Sequence, residues 1–540
     1  MKNVLHRPTP RFPLRAAVKC SNAVVSPAAR RLVVALLAGV VSVLAVLAAT
    51  GLLTGSPVGA ADNSDGPRLY CGAGITPATA DQHSNWKGGV VIAFSRSEAC
   101  PDPIPSAALP ILRLAVATDG DAAWSMTRLG WLYAALIGLV TAVAAWAASA
   151  GGPTRALALI APLAPLADPD FARFFISTFS EPAGLLGTYV LMCGATVLAV
   201  TSRRHGVERV VGLALASGGG LLAATTKTAY LPLLLVAVAL CLITAVKMGR
   251  APRGRVRWSD RVAGPVAAAL VLLAAVGPVT SALDWQSRVY PVVNAHNIIF
   301  TTLLPEAGPA AAAAVGLPPG ALQSSGRGDD GLGPELNTIP GWQSAIGDHP
   351  DAARRSAYRD LAAHPAALAR AIGVAMQATR GSEIDYLLSA PLPGGVNAPS
   401  VVHATGSMGN DGQALRTWLD GMAAPWWSSL LAALGIAAGV AGLLLRPRNW
   451  GVAALTRVAG LAAVGAVGLA ITAVLGDGFY EIAKHVWLAA YLLDVTLLAL
   501  IGAVVVLGSE AVLRAVRASR ADSSPGREET GSTKRPAYAR

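Results

Sequence analysis

The sequence specifies an all-α polytopic membrane protein of about ten transmembrane helices, with its large loops on the outer side. Three observations carry this. First, 53% of the 540 residues are hydrophobic and only 14% are charged, whereas a soluble chain carries about 25% charge. Second, apolar runs near 20 residues recur along the chain, the length a helix needs to cross a hydrocarbon core of about 30 Å. Third, Lys and Arg gather between alternate runs, as the positive-inside bias requires. The formal net charge of +12 therefore reports topology, because the basic residues sit in separate clusters at helix ends. No continuous stripe suited to nucleic acid is present.

Leu32 to Leu53 is the first span. Val58-Gly59-Ala60 resembles a signal-peptide cleavage site, but the basic leader of 31 residues and the apolar stretch of 22 are both long for a signal, so an uncleaved anchor is expected. The other spans are expected at 129–149, 155–167, 183–200, 210–224, 230–246, 262–283, 426–445, 453–474 and 485–508. Two are weak: 155–167 is short, and 210–224 contains Gly218-Gly219-Gly220, so both are expected to be broken or sheltered by neighbours.

With both termini in the cytoplasm, the inner segments hold 27 of the 43 Lys and Arg, and the much longer outer segments hold 16. Of the 31 acids, 24 lie outside and 6 inside, and Asp494 falls within a span. The chain then divides into a cytoplasmic basic leader (1–31), an N-terminal transmembrane bundle (32–283) that includes outer loop 55–128, an extracytoplasmic segment (284–425), C-terminal transmembrane helices (426–508) and a disordered cytoplasmic tail (509–540). The expected location is the plasma membrane. Loop 55–128 carries Cys71 and Cys100, for which an oxidising exterior favours a disulfide over two unpaired thiols. Cys193 and Cys241 fall within spans and Cys20 before the first. In the larger segment, 351–379 has an amphipathic helical pattern, while 314–342 and 391–413 are rich in Gly, Pro, Asn and Ser and read as loop.

Charge held at a membrane's outer edge needs a reason, and four places have it. Asp62-Asn63-Ser64-Asp65-Gly66-Pro67-Arg68 follows the first span, where a carboxylate can take a hydroxyl proton or hold a divalent metal; an ordinary solvated turn is the alternative. Asp168-Pro169-Asp170-Phe171 and Phe179-Ser180-Glu181-Pro182 place three acids in a short hairpin with Arg173, Phe174 and Phe175, against which stands simple interfacial anchoring by aromatics. Lys227, in Thr225-Thr226-Lys227-Thr228, is an isolated outer cation suited to a phosphate or to snorkelling. Lys484-His485 opens the last span after Asp477-Gly478-Phe479-Tyr480-Glu481; it could neutralise a departing phosphate or shuttle a proton, or His485 could simply pack at a helix end. No Walker loop, dinucleotide fingerprint, metal-ligand cluster or internal repeat is present.

Taken in order, Asp62-Asn63-Ser64-Asp65-Gly66, Thr178-Phe179-Ser180-Glu181-Pro182, Thr226-Lys227-Thr228, Asn294-Ala295-His296-Asn297 with Phe300, and Ala483-Lys484-His485 resemble the GT-C superfamily of bacterial membrane glycosyltransferases, in particular the cell-surface glycan hexose-transferase-like group. The resemblance runs from about residue 32 to 508. Ser64 stands where that pattern is expected to carry Gly, and Pro67 where an aromatic is more usual. The resemblance implies a GT-C-like fold and transfer of a sugar from a polyprenyl-phosphate donor to an extracytoplasmic glycan or lipid-linked acceptor. It gives Asp65 the role of general base with Asp62 as partner, Asp168, Asp170 and Glu181 the acceptor side, and Lys227, Lys484 and His485 the donor phosphate. Membrane lipids are the surrounding partner, nucleic acid is not one, and no cofactor is fixed beyond the divalent metal the acids could hold. The rival classes are a flippase of a lipid-linked glycan intermediate, which would favour repeated halves and mid-membrane charge, and a non-catalytic component of a glycan assembly system.

Overall fold

The computed structural model describes residues 26–55, 57–60, 66–78, 89–91, 93–117, 123–246, 259–328, 336–379, 389–391, 401–403, 424–444 and 449–522. Its membrane region begins with α1 (Pro27–Ala49), capped by the Ser26 hydroxyl, which accepts the Ala29 amide at 3.1 Å. Pro27 opens it, where the missing N–H would have had no partner. α2 (Thr127–Ala148) packs along α1. α3 (Glu181–Val200), α4 (Gly206–Thr226), α5 (Leu231–Ile243) and α6 (Ser259–Val289) complete the first group. After α7 (Pro291–Asn297) come the extramembrane helices α8 (Pro350–Ala363) and α9 (Pro365–Ala378), then α10 (Trp427–Leu444), α11 (Trp450–Asp477) and α12 (Trp487–Asp522).

Among the described residues eight helices are long and apolar enough to cross a membrane, and two shorter apolar segments, Pro153–Ala167 and Thr228–Ile243, lie where the other two crossings are expected. The protein is thus a multi-pass α-helical membrane protein. Its outward side chains agree: Leu270, Leu273 and Val276 on α6, and Leu235 and Ile243 on α5, are largely exposed, as suits a surface solvated by lipid.

The two weak spans differ from each other, one sheltered by its neighbours and the other irregular, the two alternatives the sequence leaves open. Residues 206–226 form one continuous helix, so the three glycines do not break it. Two of them permit close packing: a Cβ on Gly219 would fall 2.6 Å from the Gly187 carbonyl and against the Leu191 amide of α3, and one on Gly220 would strike the Ala237 methyl of α5. Gly187 and Gly194 face Ala223 and Ala216 in the same way. Small residues bring helix backbones together where lipid supplies no hydrophobic drive. The short segment 153–167, in contrast, is wound mostly as 3₁₀-helix, over Pro153–Leu159 and Ala164–Ala167. At ~2.0 Å per 3₁₀ residue it reaches about 28 Å, nearly a full hydrocarbon thickness. Pro153, Pro162 and Pro165 suit this tighter winding, since each removes an α-helical donor.

α3 is the axis of the bundle, buried along nearly all its length against α2, α4 and α11. Gly439 of α10 meets Gly460 of α11, whose backbone lies 2.7 Å from where a Cβ would stand. At one end of the bundle arginines satisfy helix carbonyls. Arg209 donates to the carbonyls of Ala245, Leu198 and Thr201, Arg155 to Val200, and Arg31 to Trp146 and to the Glu208 carboxylate at 2.8 Å. The last four carbonyls of a helix lack partners within it, so these arginines close the ends of α2, α3 and α5. At the opposite end lie the long loops and the candidate motifs.

The first of those loops folds as a small unit: strands Ile75–Pro77, Ala93–Arg96 and Ala123–Ser125 pair antiparallel in that order. Cys71 and Cys100 are joined in a disulfide with their Cα atoms 5.3 Å apart, and Phe94 stacks edge-on between Tyr70 and Trp124. The Ser106 hydroxyl and the Ala107 amide anchor the loop on the carbonyls of Thr226 and Thr225, at 2.7 and 3.0 Å. The second such unit buries Ile299, Phe300, Leu317, Trp342 and Leu361 in its own core. Its amphipathic stretch is two helices, α8 and α9, broken at Pro365. The first part of the expected disordered tail is helical, because α12 continues to Asp522; the rest lies outside the described residues.

These packing contacts separate two adjacent glycines. Gly219→Ala forces a methyl into the α3 backbone and should destabilise by about 1–3 kcal/mol or more. Gly218 has nothing within 4 Å of its would-be Cβ, so Gly218→Ala should stabilise α4 by about 0.5–1 kcal/mol. Thermal unfolding of the detergent-solubilised protein reads both.

Candidate functional site

The acidic hairpin starts where the 3₁₀ segment ends. Asp168 is extended and caps the turn Pro169–Ala172, its carboxylate accepting the Asp170 amide at 2.9 Å. The turn delivers Asp170 and Arg173 inward, at 1% and 3% exposure. The aromatics of this hairpin are core rather than interfacial anchors. Phe174 lies 4.3 Å from the Trp487 ring, Phe171 packs on Trp487 and Tyr491, and Phe179 packs on Phe174. The Trp487 indole N–H also points at the Asp170 carbonyl, at 3.4 Å. The second motif and the last span, more than 300 residues apart, are therefore one packed unit.

Glu181 opens α3, where a carboxylate is favoured by the helix dipole. It is almost wholly buried, and its Oε1 accepts the Lys227 ammonium at 2.9 Å, while the Ser180 hydroxyl donates to Oε2 at 3.2 Å. Lys227 ends α4 in an extended conformation that aims its side chain across to α3. The isolated cation of the sequence reading is thus half of an ion pair. An acceptor-side acid and a donor-phosphate cation of the sequence reading occupy the same spot.

The loop between α11 and α12 is shaped by backbone constraint. Asp477 ends α11, and Gly478 turns the chain with φ +61. A Cβ there would strike the Thr301 hydroxyl and lie 2.7 Å from the Asn297 carbonyl, so only glycine fits. The Phe479 amide donates to the Thr301 hydroxyl at 2.7 Å, which donates in turn to the Asn297 carbonyl at 2.6 Å. Glu481 then takes φ 46 and is, among the described residues, the only non-glycine with positive φ. Such a conformation costs of order 1–3 kcal/mol and persists where the surroundings enforce it. It carries the chain directly into Lys484-His485.

Lys484 is buried, with its ammonium 3.3 Å from Glu481 Oε2 and 6.0 Å from the centre of the Phe179 ring. His485 Nε2 meets Asp477 Oδ2 at 3.2 Å, and the Asn297 amide donates to Asp477 Oδ1 at 2.8 Å. Asn297 and His296 belong to α7, just before the π-helical turn Ile298–Leu303, a local widening frequent at functional sites. His296 itself has a structural part. Its Nδ1 accepts the Trp342 indole N–H at 3.0 Å, which fixes the tautomer so that Nε2 donates to the Arg327 carbonyl at 3.2 Å. Its ring stacks on Phe300.

Asp62 and Asp65 lie outside the described residues. On the chain's near side, Val58–Ala60 pairs with Ser389–Pro391 and rests against Arg173–Phe175. On the far side, the Arg68 guanidinium lies 4.9 Å over the Tyr290 ring. Among the described residues no three His, Cys, Asp or Glu side chains converge as a metal site.

Asp170, Glu181, Lys227, Lys484 and His485 are therefore gathered at one end of the bundle. Asp168 stands at the hairpin's entrance. Asp477 and Glu481, which the sequence places in the loop without a role, and Trp487, which it leaves out, tie the others together. Only the Asp477-Gly478 break before the motif signalled them. Removing one partner of the near-buried Glu181–Lys227 pair should cost more than removing both. Lys227→Met is expected to destabilise by about 2–3 kcal/mol, and Glu181→Gln/Lys227→Met by clearly less, in thermal unfolding of the two variants and wild type.

With this geometry in hand, comparison with known proteins adds one finding. No curated protein and no solved structure matches the chain. Residues 23–283, from the leader through most of α6, match the family model described as the YfdI N-terminal transmembrane domain. Over that part the chain is similar to a known transmembrane domain, in agreement with its multi-helix membrane architecture.

Proposed function

We propose that the protein is a membrane glycosyltransferase of GT-C type, moving a sugar from a polyprenyl-phosphate donor to a glycan or lipid-linked acceptor on the extracytoplasmic face of the plasma membrane. In this reading both termini are cytoplasmic, and the arginine-lined end of the bundle faces the cytoplasm. The observation that carries it is that Lys227 on Glu181, Lys484 on Glu481 and His485 on Asp477 stand with the buried Asp170 at the opposite end. Cations next to lipid can meet the phosphate of a membrane-embedded donor, and buried acids next to them can orient an acceptor hydroxyl. The similarity of residues 23–283 to the YfdI N-terminal transmembrane domain supports the membrane setting.

The reaction balances without a redox partner. The acceptor oxygen bonds to the anomeric carbon as the bond from that carbon to the phosphate oxygen breaks. The electron pair leaves with the polyprenyl phosphate, and the hydroxyl proton passes to a carboxylate, the role proposed for Asp65 with Asp62 beside it. Lys484, desolvated between Glu481 and Phe179, stabilises the second negative charge that develops on the phosphate, because opposite charges attract more strongly away from water. Lys227 is divided between Glu181 and the donor, so donor binding would loosen that pair.

Purified wild type should transfer sugar from polyprenyl-phosphate donors. Asp65→Asn should lower turnover by about 10²–10⁴-fold, and Lys484→Ala by about 10²-fold. Unchanged turnover in Asp65→Asn would remove it from the base role. Lipid movement across vesicles by wild type, with no transfer, would replace the enzyme by a flippase.

A further inference from the structure

We propose that Asn297 and Asp477 are positioning residues which hold His485 so that its Nδ1 donates to the donor phosphate; this rests on the glycosyltransfer reading above. Neither Asn297 nor Asp477 stood among the candidates for the phosphate site, and both act here through another side chain.

The geometry forms a chain of defined donors and acceptors. Asn297 is fully buried on α7, and its amide nitrogen donates to Asp477 Oδ1 at 2.8 Å. An amide N–H in that position holds the carboxylate's orientation. The other oxygen, Oδ2, faces His485 Nε2 at 3.2 Å. An ionised carboxylate only accepts, so Nε2 carries a proton. The ring's second nitrogen, Nδ1, has no hydrogen-bond partner among the described residues, and the His485 side chain is 15% exposed. One face of the imidazole is thus fixed by protein and the other nitrogen is left for a ligand.

The support behind this chain is rigid. Gly478, Thr301 and the Phe479 amide lock the Asp477 end of the loop onto α7. The Tyr358 hydroxyl donates to the Leu475 carbonyl at 2.6 Å from α8. Tyr480 packs against Gly328, where a Cβ would collide with its ring. The extracytoplasmic unit therefore sets the register between Asp477 and His485, eight positions apart and on no common helix. A carboxylate that orients an imidazole is a recurrent way to present the opposite nitrogen to a reacting group. As the bond to the anomeric carbon breaks, a protonated His485 would hold a hydrogen bond to the phosphate oxygen that receives the electron pair. Lys484 beside it supplies a second positive charge.

The test uses the full chain in nanodiscs, labelled with ¹⁵N-histidine, with His485→Gln to assign the His485 signals and polyprenyl phosphate as the probe. Wild type should show a protonated Nε2 at His485, and the Nδ1 signal should shift when the probe is added. In Asp477→Asn, which keeps the shape, the Nε2 signature and the probe-induced shift should both fall away. Transfer turnover should drop ~10²-fold in His485→Gln and about 10-fold in Asp477→Asn and Asn297→Ala, with the acceptor KM unchanged. A His485 signal that ignores the probe, or that behaves alike in wild type and Asp477→Asn, overturns the inference, even if turnover is lost. If wild type transfers no sugar, the glycosyltransfer reading fails, while the response of Nδ1 to polyprenyl phosphate still decides whether this is a phosphate site.

Discussion

Hydrocarbon supplies no hydrogen bonds, and that constraint sorts the polar groups of this bundle to its two ends. Buried polar groups there must be satisfied by protein. At one end arginines do so by donating to the open carbonyls of α2, α3 and α5. At the other, Glu181 takes Lys227, Asp477 takes His485 and Asn297, and Glu481 takes Lys484. Between them the spans hold few charges, and Asp494 on α12 is the exception. The first end is a set of helix closures, the second a cluster of groups that can change partners.

That difference sets the two ends' chemistry apart. An arginine on a helix carbonyl is a fixed donor with no titration near neutral pH. A lysine or histidine held by a carboxylate is a donor already aimed, and in the proposed reading a phosphate would share or replace that carboxylate. The backbone around the second cluster is correspondingly constrained, with a left-handed Glu481, a glycine-only turn at Gly478 and a π-helical turn after Asn297. The cost of that strain is met by packing of the unit that contains α8 and by the aromatic contacts between the acidic hairpin and Trp487.

The spans were legible because apolar length is a one-dimensional property, and ten apolar segments stand where sequence put them. The state of the weak ones was not. Whether Gly218-Gly219-Gly220 breaks a helix depends on what faces it, and Gly187 and Leu191 of α3 do. The reach of 153–167 depends on winding, and its prolines permit a 3₁₀ rise that a count of α-helical residues underestimates. Within the site, residue types were legible and their pairing was not. Glu181 and Lys227 lie 46 positions apart, and Asp477 faces His485 only because Gly478 and Glu481 bend the loop. His296, part of a motif, proved to fasten Trp342 and the Arg327 carbonyl, a part that no local pattern announces.

The central claim is that the acidic hairpin and the last outer loop together receive one lipid phosphate. Photo-crosslinking tests it most directly: a benzophenone-tagged polyprenyl phosphate, the intact protein in nanodiscs, and peptide mapping by mass spectrometry, with untagged lipid as competitor. The account predicts labelling of residues 168–182 and 477–487 in the same sample, lost together on competition. Labelling centred on 201–209 and 449–457 at the arginine-lined end, or spread over α5 and α6 and unaffected by competitor, would contradict it.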